Sequence, residues 1–240
     1  MVLSSRVREE MYLDGFTVLN NIYSHDELEA ISRLINSADH SQPAFRKSND
    51  IFAIRQFFKT IPGVSDLVFN KNLKELIGDM FGRDYFVAKS IYFDKPGNSN
   101  WFVAWHQDLT ISVDKRSDID GYGPWTVKLN QFAVQPPLEM LEDNFTVRIH
   151  LDDTDENNGA LNVIPGSHKK GIWRVDKIDY DRENPVSCNV QAGGINIMRP
   201  LIMHSSARTV SNRQRRVIHI EFSQATLPLT LAWGEKCNWT

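Results

Sequence analysis

The chain has 240 residues, 41% of them hydrophobic and 24% charged, with a formal net charge of −3. That composition suits one folded domain with a sizeable core, and without a large basic excess it speaks against a nucleic-acid or membrane-surface partner. The two cysteines, Cys188 and Cys237, form neither a CxxC motif nor a disulfide framework. The N-terminal stretch lacks an apolar run of signal-peptide length and no segment approaches about 18 uninterrupted apolar residues, so the expectation is a cytoplasmic chain with no membrane span.

In chain order, the alternating segment DGFTVLNN (14–21) predicts a short strand. Ser24 and Glu27 form a capping box ahead of Leu28, Ile31, Leu34 and Ile35, whose spacing is helical. A second helix is expected over 65–79, with Gly82 just past its end. From about residue 84 the character changes to short segments rich in Val, Ile, Phe and Trp, punctuated by Gly, Asn, Asp and Pro. They include DYFVAKSIYFDK, WFVAWHQDLTISV, FTVRIHLDD, GALNVIPG, GINIMRPLIMHSS and RRVIHIEF. The pattern predicts an all-β sandwich or barrel with flanking helices. No internal repeat or low-complexity linker divides the chain. A single domain over 1–240 is therefore expected, with a mixed N-terminal part (about 1–83) packing on a β core (about 84–225). Residues 114–143 carry Gly121-Tyr122-Gly123-Pro124, Pro136-Pro137 and little periodicity. A connection that long predicts a lid or pocket wall.

Within the β segments, His106 and Asp108 stand two apart in WHQD. Residues i and i+2 of a strand share a face, so both side chains can reach one ion while Gln107 points away. A strand-borne HxD with a distant His is the local pattern of a facial triad that leaves metal positions open. Two further pairs compete, His150/Asp152 and His219/Glu221, and such a pair is more often structural than ligating. Among the remaining histidines, His25 lies in a helix cap, His40 in a polar loop, and His168 follows a turn and is expected to face water. His204 ends an apolar strand, where a polar residue needs a reason. Arg215, opening the next strand, could grip a carboxylate two-pronged, with Ser206 adding a hydroxyl. Arg216 adjoins it on the opposite face, and alternation alone could send either arginine inward.

WHQD, LDDTDENNGALNVIPGSH, and His204 followed by Arg215 together resemble the phytanoyl-CoA dioxygenase family, over nearly the whole chain from residue 14 to 222. GYGPWTVK, VQPP and RIHLDD further resemble a bacterial branch whose substrates are mostly unassigned. The resemblance implies a double-stranded β-helix, a cupin-like jelly roll, that uses Fe(II), 2-oxoglutarate as co-substrate, and O2. It implies His106, Asp108 and His204 as iron ligands, Arg215 as the 2-oxoglutarate anchor and Ser206 as its helper. It also implies that neither competing pair ligates metal. The implied reaction hydroxylates or desaturates an unactivated C–H of a small molecule, releasing succinate and CO2. Halogenating relatives have a small residue where Asp108 stands, so halogenation is not expected. The chain is shorter than members acting on acyl-CoA and shows no basic patch for the CoA phosphates. Trp125, Gln107 and Arg148 are candidate substrate residues, with Lys89 a weaker one. Trp125 could instead staple its loop, and Arg148 could instead pair with a carboxylate on a neighbouring strand. Two other classes fit parts of the pattern: a zinc enzyme on the same barrel, and a binding module whose triad is a relic.

Overall fold

The computed structural model describes residues 2–39, 44–47, 52–128 and 131–239. His40 lies outside the described residues. The N-terminal part is α1 (Val2–Leu13), β1 (Phe16–Leu19), α2 (His25–Asn36), β2 (Phe45–Lys47), β3 (Phe52–Arg55), α3 (Phe57–Thr60), α4 (Val64–Val68) and α5 (Lys71–Phe81). The remainder is β4 (Phe86–Lys95), β5 (Val103–His106), β6 (Ile111–Val113), β7 (Trp125–Lys128), β8 (Gln131–Val134), α6 (Leu138–Asp143), β9 (Phe145–His150), β10 (Leu161–Val163), α7 (Tyr180–Glu183), β11 (Val186–Cys188), β12 (Ile195–Met198), β13 (His204–Ser206) and β14 (Arg215–Ser223).

Local chemistry explains the helices. Ser24 caps α2 by accepting from the Glu27 amide while the Glu27 carboxylate accepts from the Ser24 amide, the reciprocal box expected from sequence. The stretch expected as one helix over 65–79 is two, because Asn70 leaves the helical region and caps α5 through the Leu73 amide. Helix α5 ends at Gly82, whose φ of 94° is open to glycine. The segment 114–143 is less irregular than its composition suggests. It holds the hairpin β7–β8 and helix α6, and β6 completes a three-stranded sheet ordered β6-β8-β7.

Two larger sheets form the core. One has seven strands ordered β1-β12-β9-β14-β4-β3-β2, the other four ordered β11-β10-β13-β5. In the seven-stranded sheet, Phe145, Val147 and Ile149 of β9 and Ile218, Ile220 and Phe222 of β14 face the helices, where α2 and α5 contribute Leu28, Ile31, Ile35, Leu73 and Ile77. Each such buried apolar side chain contributes roughly 1.5–3 kcal/mol. The alternate residues of the same strands, Arg148 and His150 in β9 and Arg215 and His219 in β14, face the space between the sheets. Part of that space is filled by Leu161, Val163 and Cys188 meeting Met198. The architecture is the expected jelly roll with helices outside. Among the described residues, no helix is long and apolar enough to cross a membrane.

Candidate active site

Strand pairing brings the first candidate residues together. Antiparallel β5 and β13 make His106 and His204 direct partners across the ladder. Their ring centroids are 4.2 Å apart. Asp108, just past β5, lies with Oδ1 3.6 Å from His106 Nε2 and Oδ2 3.8 Å from His204 Nε2. One ligand atom from each of the three residues can be chosen so that all lie within 4.8 Å of one another. Both imidazoles are oriented by backbone. Nδ1 of His106 donates to the Ala104 carbonyl at 2.8 Å, and Nδ1 of His204 to the Ile202 carbonyl at 3.0 Å. Each ring therefore turns an Nε2 lone pair inward. Burial drives the His204 pKa down to about 4, so that ring is neutral at pH 7. For Asp108, burial acts against the charge, but the neighbouring His204, His106, His219 and Lys89 hold the carboxyl well below its usual range. Its Oδ2 is buried without a hydrogen-bond partner. A neutral His204 ring, a His106 ring held by the Ala104 carbonyl and an ionised carboxylate with an orphaned oxygen suit a divalent cation.

The three residues open onto a cavity of about 380 Å³ whose wall includes Arg148, Arg215, Ser206, Lys89, Phe93 and Trp101. Parity alone left the two arginines of β14 open, and the structure separates them. Arg215 is buried in the cavity wall at 3% exposure, with Nε and Nη1 unpartnered. Burial, reinforced by the nearby Arg148 cation, lowers its pKa to about 9. Arg216 turns outward and grips Asp152 with Nη2–Oδ1 2.7 Å and Nε–Oδ2 2.9 Å. Ser206 lines the cavity and donates to the Gly159 carbonyl at 2.9 Å. Lys95, fully buried and the ladder partner of Arg215, donates to the Ala207 carbonyl at 2.6 Å.

The competing pairs serve other purposes. His150 bonds Thr154 Oγ1 through Nδ1 at 2.8 Å, whereas Asp152, beyond the end of β9, is held by Arg216. His219 links two charges. Arg148 Nη1 donates to its Nδ1 at 3.1 Å, and its Nε2–H donates to Glu221 Oε1 at 3.0 Å. Glu221 also pairs with Lys89 at 2.5 Å. Both pairings follow from register, His219 opposite Arg148 and Glu221 opposite Lys89. Asp108, His219 and Glu221 are close enough to count as a second cation cluster. With both ring nitrogens committed, however, His219 has no lone pair to offer. The pair is structural, as such pairs more often are, and it shares with Arg215 the face of β14 that lines the cavity.

Three expectations are corrected. Gln107 is not at the cavity: its Nε2 donates to the Gly171 and Leu201 carbonyls at 2.8 and 2.6 Å, and its Oε1 accepts from the Trp173 amide at 2.8 Å. With its polar atoms spent on this clasp, it fastens the 171–173 segment behind the metal-facing residues. Trp125 packs with the small cluster around Ile111, Val113 and Val134 and is not among the cavity-lining residues, so it staples its loop. His168 does not simply face water. It is half-buried, with an unpartnered Nδ1 tucked against Gly15, where a Cβ would come within 2.2 Å. Arg148, by contrast, is at the cavity and, among the described residues, is not paired with a neighbouring carboxylate.

Comparison with known proteins agrees with this geometry. The profile of the phytanoyl-CoA dioxygenase (PhyH) family matches residues 11–217. The chain belongs to the PhyH family. An ectoine dioxygenase of Bordetella bronchiseptica is 25% identical over 207 residues, 77% of this chain and 60% of that enzyme. The chain thus spans about three-fifths of that relative's length. Among solved structures, iron-bound EctD from S. alaskensis superposes with a TM-score of 0.69 at 20% identity, covering 91% of this chain and 76% of that one. The alpha-ketoglutarate-dependent carbocyclase SnoK from nogalamycin biosynthesis gives 0.67 at 15%, covering 91% and 83%. These likenesses establish the PhyH jelly roll.

Proposed function

We propose that this PhyH-family chain is an Fe(II)- and 2-oxoglutarate-dependent dioxygenase that hydroxylates or desaturates an unactivated C–H of a small molecule. The observation carrying the reading is the convergence of His106, Asp108 and His204, with an orphaned carboxylate oxygen at the focus and Arg215, its Nε and Nη1 without partners, in the same cavity. The names of the relatives, an ectoine dioxygenase and an alpha-ketoglutarate-dependent carbocyclase, support the chemistry but not one substrate.

In this reading His106 Nε2, Asp108 and His204 Nε2 hold iron, and the Ala104 and Ile202 carbonyls keep the rings aimed. Arg215 receives the far carboxylate of 2-oxoglutarate, its buried charge offset only when that anion arrives, and Ser206 stands beside it. Held by these residues, iron with 2-oxoglutarate as co-substrate would supply the O2-dependent oxidation, with succinate and CO2 as co-products. The chain's contribution is to orient both partners and to keep water away with the apolar wall of Ile91, Phe93 and Leu161.

The test is anaerobic addition of Fe(II) and then 2-oxoglutarate to metal-free protein, followed by visible spectroscopy. A weak charge-transfer band that His204→Ala removes supports the reading. Iron binding with no band would refute the keto-acid pocket and favour a zinc-type or binding role.

A further inference from the structure

Arg148 has no assigned partner in the reaction just described. It sits in the middle of β9, one of the two strands flanking β14, with 8% of its surface exposed. Strand parity turns it away from the helices and into the cavity that holds His106, Asp108 and His204. Among the described residues it meets no carboxylate at ion-pair distance. Its one hydrogen bond, from Nη1, goes to the neutral His219 ring, and its Nε is buried with no partner. The same His219 ring donates to Glu221, which Lys89 neutralises. Arg148 is thus pinned from one side and left with donors unused on the other.

Burying a guanidinium without an anion is costly, and a fold that keeps one beside a cavity is complementary to an anion that enters it. Several charges of the loaded site have evident partners. Iron held there would balance Asp108 and one carboxylate of the co-substrate. Arg215 faces the far carboxylate, and Lys89 faces Glu221. Among the described residues, none offers Arg148 a carboxylate at ion-pair distance.

Resting on the dioxygenase reading, we propose that the primary substrate is a small anion whose carboxylate, or an equivalent oxyanion, is held by the buried Arg148 guanidinium beside the His106–Asp108–His204 focus. The cavity of about 380 Å³ also has to admit the co-substrate, which limits the substrate to a small molecule. His219 acts as a positioning residue. By accepting from Nη1 it fixes the guanidinium plane and leaves the remaining N–H groups for the anion.

The experiment uses the protein loaded anaerobically with Fe(II) and 2-oxoglutarate, titrated with butyrate and, separately, with its neutral isostere butyramide. The readout is perturbation of the Fe(II)–keto acid band. Butyrate is expected to bind at least roughly tenfold more tightly than butyramide, as one charge-assisted pair implies. Arg148→Gln should erase that preference while leaving 2-oxoglutarate affinity within about twofold, and Arg148→Lys should keep part of it. The band itself shows that each variant is folded and loaded. Equal binding of the two probes by the wild-type protein would overturn the inference. So would an Arg148→Gln variant that loses 2-oxoglutarate affinity as Arg215 variants do, which would make Arg148 a second co-substrate clamp. Absence of the band in the wild-type protein would instead sink the dioxygenase reading itself.

Discussion

Two adjacent arginines should respond to the same substitution in opposite ways. Arg215→Met keeps an apolar stem in the cavity wall and removes a cation that meets no carboxylate there. The metal-free, co-substrate-free protein should then be as stable as wild type or more so, because an uncompensated buried charge has been deleted. Co-substrate binding should suffer. Two charge-assisted hydrogen bonds at about 1.5–3 kcal/mol each amount to about 3–6 kcal/mol, roughly 10²–10⁴ in Kd. Arg216→Met breaks the two-pronged grip on Asp152, which is partly exposed, and should cost about 1 kcal/mol of stability with 2-oxoglutarate affinity unchanged. Thermal melts of the metal-free variants give the first quantity, and anaerobic titration of the charge-transfer band gives the second. The reasoning fails if Arg215→Met is clearly destabilised yet binds 2-oxoglutarate normally, or if Arg216→Met is the variant that loses the keto acid.

His204→Ala should abolish stoichiometric iron binding, and His150→Ala should retain it, as read by metal analysis after gel filtration; the reverse would move the site to the other strand pair. Iron affinity should fall as pH drops through the His106 pKa: burial disfavours the proton there, but Asp108 more than offsets it and raises the value, so below it the metal must displace a proton. Neutral His204 adds no such dependence above about pH 4. Isothermal titration across pH should find proton release on metal binding at the acid end, and a flat profile would contradict the assignment. Gln107→Leu should cost about 2–4 kcal/mol in a denaturant melt, since two carbonyls and one amide lose their partner, while iron binding per folded molecule stays intact.

Much of the site was legible because strand parity is a strong local rule. His106 closes β5 and Asp108 lies just past it, yet the two still converge while Gln107 turns away, as alternation predicts. What the sequence left open follows from burial on both faces. All six residues of β9 are buried, and β14 is buried at most positions. With helices on one side and the cavity on the other, hydrophobic alternation is muted. Arg148 and the choice between Arg215 and Arg216 therefore required the neighbours. Gln107 illustrates another limit: its clasp on Gly171 and Trp173 joins positions distant in the chain, and no local pattern encodes it. Trp125 was ambiguous because a surface hairpin with its own small core looks, in sequence, like an unpacked loop.

Strand β5 is the last strand of its sheet, joined among the described residues only to β13, and the register slips between His204 and Ser206. An ion shared by His106 and His204 would therefore act as a stitch at a hem that few backbone bonds secure. Chelation should loosen that hem before the rest of the barrel, so hydrogen exchange at 103–106 would rise first. An unfastened border strand invites a strand from another molecule. Loss of a metal from this site would then also change how readily the molecules stick to one another.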